Sequence, residues 1–526
     1  MARRTQSVRA AGKVSVAVFI SRILGLVREQ VFAGLFGAGL YVDAWNVAFR
    51  IPNLLRDLFA EGALSSAFVP TFTDFLRRKG QSDAWLLANV VVSSLLVLLG
   101  GVGLALLLFP EVFVMLIASG FTEVPGKVEV TSVLIRILAP FLMFVATASV
   151  AMGVLNTLNH YFIPALAPAF FNVAVILAGF FLAPRFEDAG ILPIYAMGVG
   201  AVMGGFLQFA VQWPVLRSQG YRFRFDLSFQ HEGVRRIARL IGPALIGVSA
   251  VQVNVLVNTQ LASYLGNGPV AWLNYAFRII YLPIGLFGVA VGIVNLREVS
   301  AYAAQEKWDD FKETVANSIK LISFMAIPST VGLFVLAIPI VDVLFERGGF
   351  TPGDTLATAY AVMLYSLGLF AYSNIKVYVP TFYALDDTRT PVRISIVSVI
   401  TGIVVNLVLV LTLPAHYKYL GLAFGTALSV SINNTLLARN FRKKLGSLSS
   451  YRVAANVYKV MAAAAVMGLV VFFTHQFFLD LWPEMGLIRE LIDLGISICL
   501  GGLVYLALCA ALGVEEIRHI FARIRR

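Results

Sequence analysis

The chain has 526 residues, of which 59% are hydrophobic and 13% charged, with a mean hydropathy of +0.83. A soluble domain carries roughly 25% charged residues, so a globule of this size solvated by water is excluded. The net charge of +12 would suit nucleic acid or anionic lipid, but most Lys and Arg fall in short segments between apolar runs, where they signal topology; no nucleic-acid partner is expected.

Apolar blocks recur along the whole chain at about 20 residues, the length that carries a helix across a hydrocarbon core. A closed barrel, the other structure able to span lipid, needs short alternating segments, and runs such as 90–109 and 460–473 do not alternate. Fourteen transmembrane helices are expected, over 14–36, 43–75, 84–109, 128–157, 162–183, 191–216 and 236–264 in the first half. The second half supplies 269–300, 313–338, 355–383, 392–413, 420–440, 454–478 and 487–512. The first stretch runs through Arg22 and Arg28, unlike the clean apolar centre of a cleaved signal peptide. Pro52, Pro140, Pro168 and Pro283 fall inside spans, which membrane helices tolerate. Cys499 and Cys509 both lie in the last span, too sparse for a disulfide framework or a metal site.

Basic residues mark one set of helix ends: Arg3, Arg4, Arg9 and Lys13, then Arg77, Arg78 and Lys79, then the stretch 217–239. Arg389 and Arg393, the stretch 439–452 and the tail 518–526 continue the set. The alternate loops hold little more than Lys127, Arg185, Arg347, Lys418 and Arg489. By the positive-inside rule both termini are cytoplasmic, as an even number of spans requires.

The chain also repeats itself. "GAGLYVDAWNVAFRI" at 37–51 resembles "GNGPVAWLNYAFRI" at 266–279 with one residue of slack. The offset of about 228 residues covers six spans, an even number, so the copies point the same way, as in transporters built from parallel repeats. The expected organisation is a first lobe over 1–218, a second over 219–445, and two further helices with a cytoplasmic tail over 446–526.

An Arg near the bilayer centre costs from about 2.5 to more than ~10 kcal/mol, so it is normally hidden from lipid and used. Span 1 carries Arg22, Arg28 and Glu29; span 2 carries Asp43, Arg50, Arg56, Asp57 and Glu61; span 8 carries Arg278. Asp43, Arg50 and Asp57 are spaced by seven, with Glu61 four further on, which keeps them on one helix stripe about 27 Å long. Arg56 lies about 100° off that stripe, and Arg22 and Arg28 differ by about 240° on an ideal helix, with Gly25 between them as a place for a bend. Each arginine has a structural reading, as partner of a nearby carboxylate, beside a functional one, as recogniser of phosphate through its planar fork. The structural reading is preferred for Arg50 and the functional one for Arg28 and Arg56. Lys376 in span 10 is a further candidate that can also snorkel to an interface. Asn254, Asn258 and Asn406 are read as bonds between helices in preference to cation ligands.

"SRILGLVREQVFAGLFGAG" at 21–39, followed by "DAWNVAFRIPNLLRDLFAEGALSSAFVPTF" at 43–72, closely resembles the signature of the MurJ (MviN) lipid II flippases of the multidrug/oligosaccharidyl-lipid/polysaccharide exporter superfamily. The likeness extends through "NYAFRIIYLPIGLFGVAVG" at 274–292, "FERGGFT" at 345–351 and "TRTPVRI" at 388–394. The resemblance implies an all-α polytopic membrane protein with two six-helix lobes around a V-shaped cavity, and two extra helices forming a groove for a lipid tail. It implies a substrate-binding set of Arg22, Arg28, Arg56 and Arg278, with Asp43 as the family's acidic residue; Glu61 and Lys376 are added from their place in the spans. Two departures stand out: Arg297-Glu298 where relatives often close span 8 with proline, and Asn258 where some carry an acidic residue associated with sodium.

The resulting expectation is a transporter of the bacterial inner membrane that moves lipid II outward by alternating access, with lipid II and membrane lipids as partners, docking to cell-wall synthesis machinery and a monomeric state. Neither cofactor nor metal is expected. No G-x-x-x-x-G-K-[ST] loop or H-E-x-x-H motif is present, so neither ATP hydrolysis nor zinc hydrolysis is suggested. Competing readings are a flippase for another polyprenyl-pyrophosphate glycan, a cation-coupled multidrug exporter, and a scaffold without transport.

Overall fold

The computed structural model describes residues 2–56, 63–482 and 486–517. Among these residues there are only helices, turns and irregular connections, and no strand. In hydrocarbon every backbone N–H and C=O must be bonded within its own segment, so a chain this apolar folds as helices. Nine helices among the described residues are long and apolar enough to cross a membrane, or eleven when each of two bent pairs is one span. The protein is an all-α polytopic membrane protein. Two compact units divide it, Met1–Ala271 with Arg347–Phe350, and Trp272–Glu346 with Thr351–Arg526.

The first unit opens with α1, Ala2–Phe36, a continuous helix through Gly25. Next come α2, Leu40–Arg56, and α3, Ala63–Arg78; Asp57 and Glu61 lie between them, outside the described residues. Helices α4, Gln81–Leu108, and α5, Pro110–Ala118, precede a tight turn at Ser119–Glu123. Helices α6, Lys127–Leu138, and α7, Phe141–Thr157, bend by 42° at Ala139-Pro140, where proline lacks the N–H that would continue the ladder. Helix α8, Phe162–Leu177, passes through a wider π turn at Ala178–Leu182 into α9, Ala183–Asp188. Then follow α10, Ile194–Ala210, α11, Trp213–Ser218, and α12, Glu232–Ser263. Helix α13, Pro269–Pro283, begins in the first unit and ends in the second.

The second unit continues through a π turn, Ile284–Gly288, into α14, Val289–Ala304. This helix runs on through Arg297 and Glu298, so the absent proline leaves it long. Helices α15, Trp308–Val335, and α16, Ala337–Phe345, lead to α17, Pro352–Ser366, and α18, Leu369–Ala384, bent by 44° at Leu367-Gly368. The last four are α19, Arg389–Thr412, α20, Lys418–Leu445, α21, Val453–Leu481, and α22, Leu487–Ala511.

Packing between spans follows from small residues and interleaved rings, because lipid tails supply no hydrophobic drive between helices. On α3, Leu64, Phe68, Phe72 and Phe75 are buried at spacings of four, four and three, one stripe of a helix. That stripe meets Leu87, Val91 and Leu95 of α4 and Val150 and Val154 of α7. Gly200 and Gly204 of α10 make a small-x-x-x-small face against α8: a Cβ at Gly200 would stand 2.4 Å from that of Ala178. In the second unit Gly501 of α22 lies against Val471 of α21, and the Tyr505 hydroxyl donates to the Phe324 carbonyl of α15 at 2.7 Å.

At the α18–α19 connection, Asp387 pairs with Lys444 and accepts from the Thr390 N–H at 3.0 Å. Burial alone would raise its carboxyl, but the bonds from Lys444 and Thr390 outweigh burial and hold it at about 2. A folded value below the unfolded one stabilises above the unfolded value of about 3.9, and the gain disappears as pH falls through the folded value. Asp387→Asn is therefore expected to lower the melting temperature by a constant amount from about pH 7 to 5, the difference closing between about pH 4 and 2. A difference that does not change with pH in paired thermal scans would contradict this.

Candidate functional site

Arg28 of α1 is held by α8. The Arg28 guanidinium donates through Nη1 to Asn172 Oδ1 at 3.1 Å and through Nε to Glu29 Oε1 at 3.2 Å, with Nη2 2.5 Å from the same carboxylate oxygen. It also stands over the Phe171 ring, 5.4 Å from the centroid. Asn172 in turn donates Nδ2 to the Ser21 carbonyl at 3.1 Å, so one amide ties down both the helix one turn below Gly25 and the arginine above it. Asn172 and Glu29 are buried and Arg28 is half-buried. Glu29 on the Nε/Nη2 edge and Asn172 at Nη1 fix the direction of the guanidinium plane, and a planar fork of this kind is the group that recognises paired oxygens.

A second charged centre lies at the opposite end of the helices from the basic stretches. Asp43, in the first turn of α2, and Lys127, at the start of α6, form an ion pair of 2.8 Å with both side chains fully enclosed. The ammonium has three donors, and each has a partner: Asp43, the Gly266 carbonyl at 2.9 Å and Asn267 Oδ1 at 3.1 Å. The Phe121 ring lies 4.2 Å from the nitrogen, a cation–π contact. The carboxylate also accepts from the N–H groups of Gly268 and Ala271, at 2.8 and 2.7 Å, which open the first turn of α13. Those groups have no intrahelical acceptor and lie at the positive end of the helix dipole, so the anion is well placed. Beside this centre, Gly120 packs so tightly that a Cβ would meet Tyr264 N at 2.5 Å, and its N–H donates to Ser263 Oγ at 3.0 Å.

The structure places the expected residues as follows. Arg22 is exposed on α1, and Arg56 is half-buried at the end of α2. Asp43 is fully buried and committed to Lys127 and the start of α13. Arg278 on α13 and Lys376 on α18 are exposed and belong to the second unit. Glu61 lies outside the described residues. Asn258 is half-buried on α12, and Asn406 is buried on α19 against Gly425. Two participants were not singled out from the sequence. Lys127 was counted as a loop charge, although its being one of few basic residues on that side was a clue to a partner. Asn172 was the lone amide in an otherwise apolar stretch, and a polar side chain in such a run usually has a bonding task.

Apolar helices long enough to cross a bilayer, with Arg28 held between buried Asn172 and Glu29, define a multi-pass membrane protein of the polytopic helical class. The family model for the lipid II flippase MurJ matches residues 32–492. The chain is 35% identical over 516 residues to the probable lipid II flippase MurJ of Vibrio cholerae, with 95% of each chain covered. It is 34% identical to that of Haemophilus influenzae, covering 96% of this chain and 99% of that one. A solved structure of the lipid II flippase MurJ in an inward closed conformation superposes with a TM-score of 0.79 at 27% identity, over 96% of this chain and 99% of that chain. An inward-facing multidrug resistance MATE transporter superposes with a TM-score of 0.66 at 14% identity, over 84% of this chain and 99% of that chain, and shares the fold. This chain belongs to the lipid II flippase MurJ family, and so is a multi-pass inner-membrane protein of a transporter family.

Proposed function

We propose that the protein carries lipid II from the cytoplasmic to the periplasmic leaflet by alternating access of a cationic cavity. The observation that carries this reading is the Arg28 fork, held by Asn172 and Glu29 on α1, in a chain that aligns over 95% of its length with a probable lipid II flippase. Arg22, Arg28, Arg56 and Arg278 offset the charge of the pyrophosphate, with Glu61 and Lys376 as further polar contacts. Asp43 acts by position, fixing Lys127 and the start of α13. The polyprenyl tail stays in lipid along α21 and α22. Functionally the lobes are 1–218 and 219–445, followed by 446–526, with both termini cytoplasmic.

Moving one elementary charge across the membrane changes its free energy by about 2.3 kcal/mol per 100 mV. An anion leaving a negative interior moves downhill, and an empty cationic cavity returning inward does so too, so no nucleotide is required. The test is flipping in liposomes containing the purified protein, with lipid II compared against an O-antigen precursor, with and without an imposed potential. Transport of lipid II that quickens with an inside-negative potential on the donor side is expected. Equal transport of both cargos would make the protein a general polyprenyl-pyrophosphate flippase, and transport of neither would leave the scaffold reading.

A further inference from the structure

A cavity of about 530 Å³ lies in the first unit, lined by Val92 and Leu96 of α4, Met143 and Thr147 of α7, Phe206 of α10 and Trp213 of α11. Its volume is in the range of small-molecule sites, roughly 300–1,000 Å³, and its lining is almost wholly apolar. It lies at the end of the helices that bears Arg77, Arg78, Lys79 and the stretch 217–239. One border is an extended segment, 221–228, in which side chains alternate: Tyr221 is buried, Phe223, Phe225 and Leu227 are exposed, and Arg222 and Arg224 are exposed between them. The segment is tied to α4 where α4 lines the cavity. Asn89 Nδ2 donates to the Arg222 carbonyl at 3.1 Å, and the Asp226 N–H donates to Ser93 Oγ at 3.0 Å. Among the described residues Arg217, Arg222 and Arg224 are in no direct ion pair. Asp226, the segment's own carboxylate, is turned to Ser228, accepting from its N–H at 2.9 Å and from its Oγ at 2.5 Å. Those bonds, with weaker attraction from Arg224 and His231, hold it below the usual carboxylate range.

We infer that this cavity is a binding site for an anionic phospholipid, which places an acyl chain between α4, α7 and α10 and its phosphate on Arg222 and Arg224. Charge complementarity selects this occupant. Positive-inside orientation sets the basic end against the leaflet that carries anionic lipid, and the alternating Phe and Arg of 222–227 match the boundary between acyl chains and headgroups. The volume, the apolar lining and a pair of arginines occur together here, whereas the cavity along Phe473, Phe477 and Phe478 of α21 meets Arg489, which donates to the Phe478 carbonyl at 3.4 Å. The inference needs only that orientation; it holds whether or not lipid II is the cargo.

The test uses the full chain in vesicles containing either phosphatidylglycerol or phosphatidylcholine with a photoreactive diazirine in the acyl chain, at equal mole fraction, with labelled peptides mapped by mass spectrometry. Labelling of the peptides holding Met143 and Phe206 is expected to favour the anionic lipid by about 30-fold, the contribution of two surface arginines at about 1 kcal/mol each. Arg222→Gln with Arg224→Gln is expected to abolish that preference, and Thr147→Phe, which fills the cavity, is expected to remove the labelling itself. Both sets of changes lie at the surface or cavity wall, and labelling of the unmodified chain needs no variant at all. Equal labelling by the two lipids would reduce the cavity to ordinary lipid contact. Displacement of the label by undecaprenyl phosphate more readily than by phosphatidylglycerol would assign the cavity to the polyprenyl chain. Either result overturns the inference.

Discussion

Lys127→Met is expected to destabilise the protein by about 3–5 kcal/mol, because it leaves a carboxylate with no solvent exposure and no counter-ion. Asp43 would keep the N–H groups of Gly268 and Ala271, which lessen the burden without neutralising it. The two removals should therefore not add. In Asp43→Asn with Lys127→Met no charge is left buried, and the amide oxygen keeps one of the two N–H groups, which Asp43 receives on separate oxygens, so stability should return part of the way to that of the natural chain. A double-mutant cycle read by thermal unfolding in detergent measures this coupling. Strictly additive losses, or a loss within about 1 kcal/mol for Lys127→Met alone, a cost typical of exposed pairs, would show that the pair is not held as tightly as its enclosure requires.

The helices themselves were legible because lipid simplifies the problem. With no water to satisfy backbone groups, an apolar run has only helix available, and each of the fourteen expected stretches falls largely on helix where described. Local breaks were harder to read. Pro140 was visible as a proline inside a span, but its 42° bend depends on how α6 and α7 pack. Pro168 has no comparable break within α8, so the residue type alone does not decide. Span 2 was read as one continuous charged stripe from Asp43 to Glu61; its lower half, Asp57 and Glu61, lies outside the described residues. The charged residues of the candidate site were legible for the same reason as the spans, since a charge in an apolar run stands out. Their partners were not. Asp43 finds Lys127 from 84 positions away, and Arg28 finds Asn172 from 144 positions away, and periodicity along one helix carries no information about such pairs. Asp43 and Arg50 lie on the same helix, α2, yet the counter-ion of Asp43 is Lys127 of α6.

Arg28→Ala is expected to weaken lipid II binding by about 100-fold, since paired bonds from a guanidinium to a phosphate oxygen are worth about 1.5–3 kcal/mol each. The variant has a second consequence, because it takes the guanidinium away from buried Glu29, and a fall in binding could then reflect a disturbed helix. Two companions separate the causes. Arg28→Ala with Glu29→Gln removes the stranded charge, so a purely structural role predicts recovery of binding, whereas substrate recognition predicts that the defect stays. Arg28→Lys keeps the charge but not the planar fork, and should bind more weakly than the natural chain yet better than alanine. Binding is measured on protein shown by its melting temperature to be folded. Full recovery in the double variant would return Arg28 to the role of partner to Glu29 and remove it from the cavity; persistence of the defect at restored stability would assign Arg28 to the headgroup.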